Sequence, residues 1–158
     1  ERRLAIAISD TGACDVLAAP TPGNASLRRA IVQHGAAVDL RLRIPSDDET
    51  GAYEAIRLSF EQDVPGVVLL PPGATGLLAI PALRVALRSR VPLLCILEAS
   101  RRTAGFAQKE ILRPFTKECI TAGPEKELGR NFAAMNTALQ QGGPVLLEWP
   151  QFRDARQD

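Results

Sequence analysis

Gly66-Val67-Val68-Leu69-Leu70 is the most informative run of this sequence for its architecture. Every residue after the glycine is apolar, so the segment has no polar face to turn toward water. A strand of this composition is typical of a parallel sheet that is covered on both faces. Gly73-Ala74-Thr75-Gly76 follows after two prolines and predicts a turn that leads into a helix.

Outward from this strand, apolar periodicity predicts an alternation of strands and helices. Strands are predicted at 15–19, 37–44, 91–97 and 144–149, and helices at about 24–35, 48–61, 75–89 and 124–139. Residues 2–10 fit either a strand or a helix, and the polar residues 98–118 predict a long functional loop. The alternation predicts one α/β domain over 1–158, with a mostly parallel sheet of about six strands between two layers of helices.

Composition narrows the classes of function. The 158 residues are 46% hydrophobic and 23% charged, as in ordinary globular domains. A net charge of +1 and an aromatic content of 4% argue against a nucleic-acid partner or a membrane partner. Cys14, Cys95 and Cys119 are widely spaced and suggest neither a disulfide framework nor a metal site. Since no signal peptide or long apolar run is visible, we expect the reducing cytoplasm, with Cys95 buried as a small apolar residue.

An acidic segment, Ser46-Asp47-Asp48-Glu49, precedes Thr50-Gly51-Ala52 and admits two interpretations. Carboxylates are favoured in the first turn of a helix, where they interact with the helix dipole. A glutamate held away from water beside a ligand could instead act in proton transfer. The residues alone favour the first interpretation, because acidic first turns are common.

Seven segments, read together and in order, resemble a known family. They are Asp15–Pro20 with Pro22-Gly23, Glu49-Thr50-Gly51-Ala52, Pro65–Leu69, Pro72–Gly76, Val91–Leu94, Arg113–Lys117 and Gly143–Glu148. They are similar to segments of the pyrimidine-binding domain of thiamine-diphosphate-dependent enzymes of the acetolactate synthase or 2-oxo acid decarboxylase type. The family places a helix before its first strand, so the resemblance favours a helix at 2–10.

The resemblance implies roles for particular residues. Glu49 would activate the aminopyrimidine of the cofactor, because a carboxylate bonded to the far ring nitrogen drives the tautomerisation that the chemistry needs. Glu49 would share the cofactor site with Pro22, Gly23, Gly73, Ala74 and Thr75. Gln108 is similar to the glutamine of the family's Phe-Gln-Glu loop and would touch the substrate.

The sequence also departs from the family pattern. Asp48 stands where the family usually has histidine or another polar residue, and Gly76 replaces a common asparagine. The family's Gly-Asp-Gly segment, which with a later asparagine holds Mg²⁺ and the diphosphate, does not occur. We therefore expect no metal ligands in this chain. We expect either a partner subunit carrying the diphosphate-binding domain, in a heterodimer or α2β2 heterotetramer, or a domain excised from a longer chain.

The implied activity is decarboxylation of a 2-oxo acid such as pyruvate, followed by protonation or carboligation. Two other interpretations remain open. One is a sugar-type small-molecule binding module, because 37–97 can be read as one lobe of a periplasmic-binding or repressor effector domain. The other is an inactive, regulatory relative of the enzyme. The acceptor substrate and the presence of FAD are also left open.

Overall fold

Strands and helices alternate along the computed structural model, which describes residues 1–45, 50–99 and 108–150. The strands are β1 (Asp15–Ala18), β2 (Arg41–Arg43), β3 (Gly66–Leu70), β4 (Leu93–Ala99), β5 (Glu118–Thr121) and β6 (Pro144–Pro150). The helices are α1 (Arg2–Asp10), α2 (Ala25–Gly35), α3 (Gly51–Gln62), α4 (Ile80–Ser89), α5 (Gln108–Leu112) and α6 (Glu125–Gln140). All six strands are parallel, in the order β2-β1-β3-β4-β6-β5. The predicted α/β class is confirmed.

The central strands are buried on both faces, and successive side chains divide between two cores. Val67 and Leu69 join the core beneath α1, α2 and α6, which we call the α1 face. Val68 and Leu70 join the core beneath α3, α4 and α5, the α3 face. This division follows from the two-residue period of a strand. The continuous apolar run of β3 therefore serves two helical layers at once, as its composition predicted.

Helix α3 approaches β3 so closely that only glycine fits at the start of the strand. A Cβ on Gly66 would collide with the carbonyl oxygen of Ala55 and would lie 2.7 Å from its carbonyl carbon. Ala55 is itself fully buried. Small residues at both positions thus allow the backbone of α3 to approach the sheet closely. This contact sets the distance between α3 and β3.

A buried acid fastens the edge strand to the sheet. Asp15 is 5% exposed and opens β1. Its carboxylate lies 3.3 Å from Nε of Arg41 and 3.9 Å from Nη1 of Arg43, both on β2. Gln62 at the end of α3 donates to the same carboxylate at 3.3 Å. Local sequence pattern does not reveal this role of Asp15, because its partners are distant along the chain.

Several element boundaries differ from the prediction. The segment 2–10 is helical, because Leu4, Ala5 and Ile8 share one buried face. Strand β2 is shorter than the predicted 37–44, since a 3-10 helix occupies Ala36–Val38 and Ile44 is 69% exposed. The helix predicted at 75–89 begins as a 3-10 helix, Ala74–Ala79, and becomes α-helical only at Ile80. The predicted helix start at Asp48 lies outside the described residues.

The interpretation of 98–118 as one long loop is wrong at its start, where β4 continues to Ala99, and in its second half. Residues 100–107 lie outside the described residues, but α5 and β5 occupy Gln108–Leu112 and Glu118–Thr121. Of β5 only Ile120 is buried. A short edge strand with one buried side chain has too little apolar periodicity to be found from sequence. Among the described residues, no helix is long and apolar enough to cross a membrane.

Replacing Gly66 with alanine should lower the free energy of unfolding by about 2–4 kcal/mol, because β3 or α3 must shift to relieve the contact with Ala55. Urea denaturation measures this difference. The matched control is Gly129→Ala in α6, where a Cβ would meet only a guanidinium nitrogen of Arg3, at 4.0 Å. That substitution should raise stability by about 0.5–1 kcal/mol. Equal stability of Gly66→Ala and the parent protein would show that the layers are not held this closely.

Burial raises the pKa of the Cys95 thiol from its ordinary value of 9.0 to about 12. A thiol reagent at pH 8 should therefore label the exposed Cys14 in the native protein and reach Cys95 only on unfolding. The Cys95 thiol ionises at lower pH in the unfolded chain than in the folded one. Its contribution to the free energy of unfolding is therefore complete below pH 9 and declines as the pH rises toward 12. The stability of Cys95→Ala should decline less over that range. Equal native labelling rates for Cys95 and Cys14 would contradict the burial.

Candidate functional site at the carboxyl ends of β1 and β3

The direction in which successive strands are added along the sheet reverses between β1 and β3. The crossover after β1 runs through α2 to β2 on one side, and the crossover after β3 runs through α4 to β4 on the other. These helices cover opposite faces of the sheet. The connections therefore leave the carboxyl ends of β1 and β3 in opposite directions. Such a point in a parallel sheet opens a crevice, and ligands of open α/β proteins bind there.

The structure brings two of the predicted segments into contact at this point. Pro22 begins a 3-10 helix, Pro22–Asn24, shortly after β1, and Gly73 follows β3. A Cβ on Gly23 would collide with the ring of Pro72 and would lie 2.7 Å from its Cδ atom. The turn after β1 thus packs directly against the turn after β3, and the contact requires glycine at position 23.

The start of α3 forms a third wall. Gly51 and Ala52 are buried. They line a small cavity together with residues of β3 and with residues that follow β1 and β3, namely Ala19, Pro71, Thr75 and Gly76. The cavity encloses about 10 Å³, roughly the space that one water molecule needs. The first amide groups of α3 lack partners within the helix and carry the positive end of its dipole. Glu49, the predicted catalytic residue, lies outside the described residues, two positions before this wall.

The Gly73 turn is held from outside by Gln108. The Gly73 N–H donates to Oε1 of Gln108 at 2.9 Å, and Nε2 of Gln108 donates to the carbonyl oxygen of Pro71, also at 2.9 Å. Gln108 is only 6% exposed. The structure thus places its amide on the turn, and its contact with a substrate stays a prediction. Ala74 and Thr75, by contrast, are exposed at the surface of the turn.

Two further polar groups at this edge were not found by sequence reasoning. Asn24 is 1% exposed, and its Nδ2 donates to the carbonyl oxygen of Ala19 at 3.0 Å. Its Oδ1 and the buried Oγ1 of Thr21 have no hydrogen-bond partner within the described ranges. Buried acceptors in proteins are nearly always satisfied, by protein, water or ligand. Their position beside Pro22-Gly23 is the only signal the sequence offered.

The carboxyl edge also carries a polar cluster that ties α5 to the far strands. Lys109 pairs with Glu148 of β6 at 3.0 Å and donates to Thr121 of β5 at 3.1 Å. Glu98, at the end of β4, is a carboxylate that is only 4% exposed. These residues were missed because the strands that carry them meet only in the folded sheet.

Comparison with known proteins adds no assignment, since no protein-family model and no curated protein matches this chain. In the described portion of the chain, no group of three or more histidine, cysteine or carboxylate side chains is arranged to hold a metal ion. The described site is therefore built from main-chain turns, a helix start and amide side chains.

Replacing Gly73 with alanine should destabilise the turn by about 1–3 kcal/mol, because its backbone angles belong to a region that is essentially restricted to glycine. Gly73 has φ +77° and ψ −158°, and a Cβ there would meet no atom within 4 Å. The penalty would therefore be conformational and not steric. Thermal or urea unfolding tests it against Thr75→Ala, an exposed change in the same turn that should stay within about 0.5 kcal/mol. Equal stability of the two variants would refute the argument.

Proposed function

We propose that this chain is the pyrimidine-binding part of a thiamine-diphosphate-dependent enzyme that acts on 2-oxo acids. The observation that supports the proposal is the meeting of three segments at one crevice. Gly23 of the turn after β1 packs against Pro72 of the turn after β3. Gly51, at the start of α3, lines a small cavity with Ala19, which follows β1, and Thr75, which follows β3. The resemblance implies that residues of these same segments, Pro22, Gly23, Glu49 and Gly73–Thr75, bind the cofactor.

The described residues fit an aminopyrimidine at the mouth of the crevice. The cavity of about 10 Å³ is too small to enclose a ring, so the ring would lie across the opening. Space is free beside Gly73, where a planar group can approach the main chain. The two turns would hold the ring, and Glu49 would face its far nitrogen.

Glu49 carries the proposed chemistry. When bound, thiamine diphosphate supplies the carbon nucleophile that attacks the 2-oxo group. Glu49 would share a proton with the pyrimidine nitrogen and so favour the tautomer that acts as the base. This role requires a carboxyl group with little water around it, because desolvation keeps the proton on the protein and the ring. Gly51 and Ala52, which follow Glu49 in sequence, are themselves buried.

The proposal requires a second component. Because the sequence contains no Gly-Asp-Gly segment, Mg²⁺ and the diphosphate would be held by a partner subunit or by another part of a longer polypeptide. With a separate partner, we propose a heterodimer or an α2β2 heterotetramer in the reducing cytoplasm. Pyruvate is the first 2-oxo acid to test. Carboligation is the reaction that the acetolactate synthase-like segments favour.

Affinity purification of the full-length protein from its native source, followed by mass spectrometry, tests the composition. We expect a polypeptide that carries Gly-Asp-Gly with a downstream asparagine, either as a co-purifying chain or within the same chain. The purified material should consume pyruvate or another 2-oxo acid only when thiamine diphosphate and Mg²⁺ are present. A sugar-type binding module would show neither property and would bind sugars in calorimetry. That outcome would overturn the proposal.

Replacing Glu49 with glutamine in the purified complex should lower kcat by about 10²–10⁴-fold, the usual contribution of a positioned acid–base group. An amide cannot share the proton that the ring nitrogen requires. The affinity for thiamine diphosphate should change much less than kcat. Asp48→Asn, which removes an adjacent carboxylate, is the matched control and should retain most activity. Full activity of Glu49→Gln would exclude Glu49 from the mechanism.

A further inference from the structure

The amide of Gln108 makes two hydrogen bonds to the main chain just after β3, of the kind that a neighbouring strand would otherwise make. Where β3 ends, the carbonyl group of Pro71 and the N–H of Gly73 point toward α5 instead of toward another strand. The Gln108 amide offers one donor and one acceptor, and it matches these two groups at 2.9 Å each. Without the amide, two polar main-chain groups at this partly buried edge would lose their partners.

The fit around the amide is tight on the remaining side. A Cβ on Gly76 would collide both with Nε2 of Gln108 and with the carbonyl oxygen of Pro71. The turn therefore wraps around the side chain, and the glycine at 76, where the resembled family commonly has asparagine, leaves the space that the amide fills. This packing explains the departure at position 76 by a neighbour on a different element.

Helix α5 is also anchored on its other side. Lys109, next to Gln108 in sequence, reaches Glu148 of β6 and Thr121 of β5. Consecutive residues of one short helix thus connect the turn after β3 with the far strands of the sheet. Because Lys109 holds the helix, Gln108 presents its amide to the turn at a defined position.

We propose that Gln108 is a positioning residue, which fixes the Gly73 turn in the conformation that presents its main chain to the ligand. Gly73 adopts angles that few residues tolerate, and the open space around it provides no packing to maintain them. The two amide hydrogen bonds supply that constraint. The proposal rests on the proposed function only for the identity of the ligand. A residue that merely touched the substrate would not determine how often the ligand-free turn opens.

Hydrogen exchange of the ligand-free full chain tests the proposal with Gln108→Glu. At pH 8 the ionised carboxylate can accept from Gly73 but has no proton for the carbonyl of Pro71. Opening of the segment 71–78 should therefore become about 10–100-fold more frequent, after correction for the pH dependence of intrinsic exchange. Acidification toward pH 5 should restore protection as the carboxyl group is protonated, since burial favours its neutral form.

The surroundings make this pH response specific to the new carboxyl group. Within the described ranges, the amide contacts the main chain of Pro71 and Gly73 together with Gly76, and none of these three groups is charged. The ionisable neighbours on α5 are engaged elsewhere, Lys109 with Glu148 and Glu110 with Arg113. Gln140→Glu, an equivalent change at an exposed position of α6, is the control and should leave the segment unaffected.

A second variant keeps the test decisive if Gln108→Glu does not fold. Gln108→Met preserves most of the side-chain volume and removes both hydrogen bonds, so the segment should lose protection at every pH. Unchanged protection of 71–78 in every folded variant at position 108 would overturn the proposal.

The 2-oxo acid assay separates this proposal from the proposed function. In an active complex, Gln108→Glu should raise the thiamine diphosphate concentration for half-maximal rate about 10-fold or more at pH 8. The effect should lessen on acidification, in parallel with the return of protection. A complex inactive on every 2-oxo acid would remove the proposed function, whereas the exchange result on the ligand-free chain would still decide the role of Gln108.

Discussion

The central strands β3 and β4 must be covered on both faces, and most of the architecture depends on this requirement. Apart from Glu98 near the end of β4, their side chains are apolar on both faces. A helical layer on only one face would therefore leave a row of apolar side chains in water. Parallel strands need crossover connections, and these are almost always right-handed. A right-handed crossover that covers the second face must run in the opposite direction along the sheet. The reversal between β1 and β3 is therefore a consequence of burying both faces.

The same reversal creates the crevice, and the turns after β1 and β3 form its walls. The turn after β1 packs on the turn after β3 through Gly23 and Pro72, with the start of α3 beside them. Small residues recur at these contacts, because backbone segments can approach one another only where a Cβ is absent. Polar side chains form hydrogen bonds with main-chain groups of these turns. Asn24 donates to the carbonyl oxygen of Ala19, and Gln108 bonds both Pro71 and Gly73. Amide side chains, not charged ones, make these hydrogen bonds to the main chain.

The sequence predicted the strongly patterned elements well and the edges poorly. Strand β3 and helix α6 were placed almost to the residue, because their composition or periodicity is strong. The segment 2–10 was ambiguous, since alternation and helical spacing both fit Leu4, Ile6 and Ile8. Strand β5 was missed, because Ile120 is its only buried residue. An edge strand forms hydrogen bonds with only one neighbouring strand. Its position is set by that partner strand more than by its own residues.

For the candidate site, the turns at Pro22-Gly23 and Gly73–Thr75 were identified in the sequence, but their contact was not. The sequence by itself determined the α/β class and the glycines at the turns. It also determined the apolar strands, which must be covered by helices on both faces. These features depend on local composition and period. Only the tertiary structure decided that Gln108 braces the Gly73 turn, that Asn24 is buried and that Asp15 fastens the edge strand. Each of these depends on groups far apart in the chain. Local pattern carries no information about such partners, and the order of the strands brings them together.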